Sequence, residues 1–299
     1  MAAIPADAVP SLTHPEGPKL ISQRQRAVRT FVKNRPAVVG LLLIVLITLV
    51  AIFAPAIAPH DPLDQSVRDR LAPPSWDYPL GRDDKGRDIL SRVIFGTRIA
   101  LLVGVFSVII GGVLGTLIGV AAGYFGGKVE TVLMRITDIL LAFPDLITGL
   151  LVLAVLGPGL EKMILAIGLT IAPRFARIAY GPTLAIKEKE FIDAAKALGA
   201  NSSRLLRLHV LPNISGDLLV FASLWTASAI RLEASLSFVG LGVQPPTPTW
   251  GQMIREGTLY LADRPLYSLG PGLALLVTVL AFNLVGDGFR DVLDPKARA

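Results

Sequence analysis

The chain has 299 residues, of which 52% are hydrophobic and only 17% charged. That balance excludes an ordinary soluble domain of this size, and the apolar residues gather in runs long enough to cross a bilayer. With 0 cysteines and three scattered histidines (His14, His60, His209) there is no disulfide framework, cysteine nucleophile or metal cage, and the net charge of +6 reads as Lys and Arg flanking membrane spans rather than as a nucleic-acid surface.

Residues 1–18, rich in Pro, Ala and small polar side chains, are expected to be disordered. Residues 19–36 carry Lys19, Arg24, Arg26, Arg29, Lys33 and Arg35, spaced for an amphipathic cytoplasmic helix. The first span is placed at 37–58. Its apolar run Ala37–Ala54 reaches roughly 27 Å at about 1.5 Å per residue. Ala56-Ile57-Ala58 resembles a signal-peptide cleavage site, but the preceding polar region is too long and Pro59 would follow the cut. Residues 59–98 form an extracytoplasmic loop rich in Asp, Arg, Gly and Pro. Ile89, Leu90, Val93 and Ile94 near its end suit a short helix resting on the outer membrane face. Further spans are read at about Ile99–Tyr124, Thr131–Leu156, Lys162–Tyr180, Leu218–Val239 and Gly272–Phe289. This makes six in all, with a five-helix core over 99–289 and a tail at 290–299. The bias of Lys and Arg places both termini in the cytoplasm, with Arg290, Lys296 and Arg298 on that side.

Ser107, Gly111, Gly115, Gly119 and Gly123 follow one another at intervals of four. They line one helix face and allow close helix packing, either inside the bundle or at a seam with a partner. Arg135 and Asp138, three apart, are positioned to pair on one face. Arg231 and Glu233, two apart, point about 200° from each other. Each is therefore expected to find its partner on another helix or in water, and at least one to face a path or a subunit seam. Pro245-Pro246-Thr247-Pro248 is expected to be stiff and extended, followed by Trp250 as an interfacial anchor or partner contact.

The polar island Glu190–Asn213, within a loop at 187–213, separates two apolar runs. Phe191, Ala194, Ala195 and Leu198 give a helix with one apolar stripe. Gly199 is a helix stop, with a tight turn at Gly199-Ala200. Asn201 or Ser202 then caps a second short helix, which carries Leu205 and Leu208 and stops near Pro212. Such a knob fits a groove on a soluble partner or rests on the lipid surface.

Asp193-Ala194-Ala195, then Gly199, then Val210-Leu211-Pro212 resembles the EAA motif of ABC importer permeases, with Asp where the family often has Glu. Tyr78–Gly104 (YPLGRDDKGRDILSRVIFGTRIALLVG), Met134–Leu146 and Leu236–Ile254 resemble the C-type subunit of the dipeptide/oligopeptide/nickel permease group. The likeness covers most of residues 29–295. It implies an all-α membrane protein with about six transmembrane helices, type I ABC importer permease-like, with a cytoplasmic coupling helix. It places Glu190, Asp193, Ala194, Ala195, Leu198, Gly199, Ala200, Asn201, Ser202, Arg204 and Pro212 against the ATPase. Asp83, Arg87, Asp88, Gln244 and Trp250 become candidate contacts to an extracytoplasmic binding protein. Arg231, Glu233, Gly111, Gly115 and Gly119 become candidates for the path or the permease–permease seam.

The resemblance further implies a heterodimer with a second permease subunit, one or two ATPase subunits, and residence in a bacterial cytoplasmic membrane. ATP and Mg are used by the partners and no cofactor is bound here. The expected cargo is di- or oligopeptide, with nickel or another small solute as the alternative. AGYFGGKV at Ala122–Val129 contains Gly127-Lys128 but lacks the earlier Gly and the Ser/Thr of a P-loop, so this chain is not expected to hydrolyse ATP. A stand-alone channel or secondary transporter would leave Glu190–Asn213 idle. A membrane enzyme built on Asp138 or Asp145 lacks a nucleophile–base signature.

Overall fold

The computed structural model describes residues 23–293. The expectations for residues 1–18 and for Lys296 and Arg298 lie outside them. The described chain runs α1 (Gln23–Lys33), α2 (Arg35–Ile52), α3 (Ala54–Ile57), α4 (Ile89–Phe125), α5 (Gly127–Leu141), α6 (Asp145–Leu156), α7 (Leu160–Lys187), α8 (Glu190–Ala197), α9 (Ser202–Leu205), α10 (Leu211–Val239), α11 (Trp250–Thr258) and α12 (Leu266–Leu293). Among the described residues, five helical runs are long and apolar enough to cross a membrane, or up to 6 if the bent pair α5–α6 is one span.

Local chemistry sets the boundaries. The Asn34 side chain accepts from the Ala37 amide and opens α2, with Pro36 in the first turn, where a missing N–H costs nothing. The expected outer helix at Ile89–Ile94 is not separate. Asp88 accepts from the Ser91 amide at 2.9 Å and starts a single helix of 37 residues that runs through the span to Gly126, which ends it with φ +68°. At about 1.5 Å per residue, α4 is roughly 55 Å long.

The span expected over Thr131–Leu156 is broken. α5 and α6 meet at 99° across Ala142-Phe143-Pro144, because Pro144 drives the residue before it out of helical geometry. The second helix of the polar island does not stop near Pro212 either. α9 passes through a π-helical turn at Leu206–Val210 into α10, giving one run from Ser202 to Val239. Pro212 sits in the first turn of α10, where the irregular hydrogen bonding of the π-turn accommodates its lack of an N–H.

α7 is the central helix, 61% buried over its most apolar stretch. The glycine face of α4 lies against it. A Cβ on Gly115 would stand 2.2 Å from the Ala172 carbonyl oxygen, one on Gly119 2.2 Å from that of Ala176, and one on Gly111 2.6 Å from that of Gly168. Ser107 donates to the Ile164 carbonyl at 3.0 Å on the same line. Gly111, Gly115 and Gly119 therefore pack inside this chain rather than at a subunit seam. Only glycine lets the two backbones approach so closely. Val103, Leu153, Met163, Ile167, Ile171, Phe175 and Leu236 fill the core beside them.

At one end of the bundle Val120, Ala179, Val210 and Ile214 pack together, and Asn34 Nδ2 donates to Asp291 Oδ2 at 2.7 Å. At the other end the 59–88 loop folds over Ile89, Met253 and Tyr267.

Candidate functional site

α8 projects from the first end on a single buried anchor. Ile192 is fully buried, whereas Phe191 is 46% and Leu198 89% exposed. Glu190, Asp193 and Ala194 are exposed and Ala195 is half-buried. The apolar stripe read from the sequence is thus largely presented outward, and Ile192, one position off it, holds the helix down. Lys196 Nζ lies 3.0 Å from Asp193 Oδ1, and that hydrogen bond raises the lysine above its ordinary pKa.

The helix closes by a Schellman pattern, in which the Ala200 amide donates to Ala195 O at 3.0 Å and the Gly199 amide to Lys196 O at 2.9 Å. Gly199 has φ +83°, a conformation that disfavours any β-carbon. Asn201 Oδ1 then accepts from the Arg204 amide at 2.9 Å and starts α9. Ser202, Arg204 and Pro212 are exposed around it. Leu205 is buried but Leu208 is 60% exposed, so these two do not share one packed face.

The opposite end is braced by charge. Asp83 accepts from the Arg87 side chain (Nε, 2.6 Å) and from the Lys85 and Arg87 amides, and Arg92 Nε lies 3.5 Å away. Glu256 Oε2 stands 3.6 Å from Arg87 Nη2, and the Tyr267 hydroxyl is 2.9 Å from both Asp84 and Glu256. Asp83, Arg87, Asp88 and Trp250 are all 2% exposed or less. This corrects the reading of those four as contacts for a binding protein. Asp83 and Arg87 hold the loop to α4 and α11, and Asp88 caps α4. Trp250 donates to the Val93 carbonyl at 3.0 Å and lies over Gly96, so it is no interfacial anchor. Gln244 alone of the five is exposed, beside a cis Pro245–Pro246 bond.

Within the spans, Glu233 is 1% exposed and accepts from Ser237 Oγ at 2.7 Å. Its partner is four residues along its own helix, not on another helix or in water as expected. Arg231 is exposed and donates to Ser228 Oγ at 3.0 Å. Arg135 and Asp138 do not pair. Asp138 turns to Arg177 of α7, Asp145 of α6 to Arg174 at 2.6 Å, and Glu130 of α5 accepts from the Tyr180 hydroxyl. Three rungs therefore tie the bent α5–α6 pair to α7. Arg174 and Arg177 are not among the candidate residues read from the sequence. Arg174, Arg177 and Tyr180, three apart, were the available signal.

Residues 115–299 match the family of binding-protein-dependent transport system inner membrane components, and residues 22–74 match the N-terminal transmembrane domain of oligopeptide transport permease C. The chain belongs to this permease family. It is 41% identical to the glutathione transport system permease protein GsiD of Pectobacterium atrosepticum, over 91% of this chain and 90% of that one. It is 38% identical to the dipeptide transport system permease protein DppC of Alkalihalophilus pseudofirmus, over 93% and 92%. The inward-facing MetNI methionine ABC transporter shares the fold, with a TM-score of 0.57 and 21% identity over 69% of this chain and 98% of that one. The permease is thus a multi-pass membrane component of an ABC importer, a class that works with ATPase and substrate-binding partners. Its helical fold is that of the type I importer permeases.

Proposed function

We propose that this permease imports peptides, forming half of a translocation path with a second, homologous permease subunit and taking its driving force through Glu190–Pro212. The observation that carries the coupling reading is α8, an apolar and charged helix held by Ile192 and offering Phe191 and Leu198 outward. An exposed leucine at a helix end beside a rigid glycine turn has the form of a knob for a groove on a soluble partner. One or two ATPase subunits bind ATP and Mg and supply that groove. This chain binds no cofactor and is not catalytic, and an extracytoplasmic binding protein delivers the cargo. In this reading the α8 end and both termini are cytoplasmic, in a bacterial inner membrane.

Dipeptides and glutathione in the names of the relatives favour peptides over nickel. Work is transmitted because the knob binds the ATPases differently in their open and closed states. ATP closes the ATPases, the knobs approach, the helices rock outward, and hydrolysis returns them.

The test is the complete complex in vesicles loaded with ATP and supplied with binding protein and a labelled dipeptide. The wild type is expected to accumulate dipeptide, whereas Leu198→Asp and Phe191→Asp lose both ATPase capture and uptake while folding normally. Undiminished ATPase capture by both variants, or dipeptide uptake by this chain alone, would overturn the proposal. Gly199→Val, which forces a β-branched residue to φ +83°, is expected to raise the ATP hydrolysed per dipeptide moved.

A further inference from the structure

Among the charges on the spanning helices, one cluster stands apart. Arg174 is near the midpoint of the 28-residue α7, and Trp225 near the midpoint of the 29-residue α10. Asp145 opens α6 at the break that divides the bent pair. Arg174 Nη2 lies 2.6 Å from Asp145 Oδ1, and its guanidinium stacks 4.8 Å above the Trp225 ring. The pair is neither buried nor free, with side chains 32% and 31% exposed. One rung away, Arg177 and Asp138 are 46% and 45% exposed. Half-exposed charge at mid-height is strongly disfavoured against lipid, so this face needs water or a polar partner.

Two further observations set this place apart. Arg174 Nε has no hydrogen-bond acceptor although the atom is buried. The break at Ala142–Pro144 interrupts α5–α6 at the same level and leaves Phe143 exposed. Helices broken at mid-height leave backbone groups unpaired, which a membrane protein tolerates where they line a cavity.

We propose that Asp145 and Arg174, steadied by Trp225, form a substrate station on the water-filled wall of the translocation path, and that it takes the zwitterionic backbone of a short peptide. The peptide carboxylate accepts from the Arg174 guanidinium at the Nη2 that Asp145 releases. The peptide ammonium donates to Asp145. One internal ion pair is exchanged for two external ones, so entry strands no charge. Trp225 holds the guanidinium plane while the carboxylate exchanges. This inference deepens the peptide-import reading and rests on it.

The experiment uses the complete complex in ATP-loaded vesicles with a labelled dipeptide bearing free termini. Asp145→Asn combined with Arg174→Gln removes both charges and keeps the shape. A station predicts at least a tenfold fall in uptake, with assembly and ATPase capture unchanged. A mere brace predicts uptake within twofold of wild type, and that result overturns the proposal. Because the chain has 0 cysteines, single cysteines introduced here report the environment with no background from this subunit. Asp145→Cys, and Ala142→Cys beside the break, which leaves the ion pair intact, are expected to react with a charged, membrane-impermeant thiol reagent. Leu169→Cys, on an apolar exposed face of α7, is expected to resist it. Failure of both Asp145→Cys and Ala142→Cys to react, with or without ATP, would mean a subunit seam and would refute the station even if uptake fell. If the wild-type complex imports no dipeptide, it is the peptide reading that fails, while the thiol reactions still decide whether this wall is wet.

Discussion

Substituting alanine for Gly115 should separate α4 from α7. The new Cβ would stand 2.2 Å from Ala172 O, 2.5 Å from Phe175 Cβ and 2.9 Å from Ala176 N, while ordinary contact begins near 3.4 Å. Two of those three atoms are backbone, so no rotamer change relieves the clash, and the helices must part by about 1 Å locally. Overpacking of this kind costs about 1–3 kcal/mol. The gap would also loosen the neighbours Gly111 and Gly119, which depend on the same approach.

Gly272, also in a helix interior and not followed by a proline, has nothing within 4 Å of a built Cβ. There alanine should be neutral or stabilise by about 0.5–1 kcal/mol, because glycine alone carries the extra backbone entropy. Unfolding of the purified permease by titrating denaturing detergent into mixed micelles measures both. The two variants should shift the midpoint in opposite directions. Equal midpoints for Gly115→Ala and Gly272→Ala would show that the α4–α7 contact yields freely and would refute the close-packing argument.

Asp83→Asn leaves Arg87 and Arg92 facing each other without their shared carboxylate and should cost about 3–5 kcal/mol, read as a lower unfolding midpoint. Ile192→Ala should release α8, at a local cost of about 2–5 kcal/mol visible as faster amide exchange across Glu190–Ala197. Leu198→Ala, 89% exposed, should leave that exchange unchanged while weakening ATPase capture. Asn201→Ala removes the acceptor for the Arg204 amide and should destabilise the start of α9 by about 1 kcal/mol, again read by exchange at Arg204.

Features that depend on neighbours in the chain were legible from the residues themselves. Apolar runs of membrane length gave the spans. The left-handed turn at Gly199 and the Asn201 cap followed from local backbone chemistry, and both hold. Boundaries that depend on continuation were misjudged. Ile89 begins a helix that simply goes on, and Pro212 is absorbed by a π-turn that no spacing rule announces. The break at Pro144 was legible in principle, but an apolar composition on both sides concealed it.

What the sequence by itself determined is therefore the membrane class, the apolar runs of spanning length, and the chemistry of the polar island. The tertiary structure decided what each polar or small side chain faces. The glycine line meets α7, Asp83 and Arg87 turn inward, Asp138 chooses Arg177 over Arg135, and Glu233 bonds down its own helix. Helical spacing fixes a residue's angle about its own axis. Whether that direction holds lipid, water, another backbone or an opposite charge depends on where helices far apart in the chain are brought to lie.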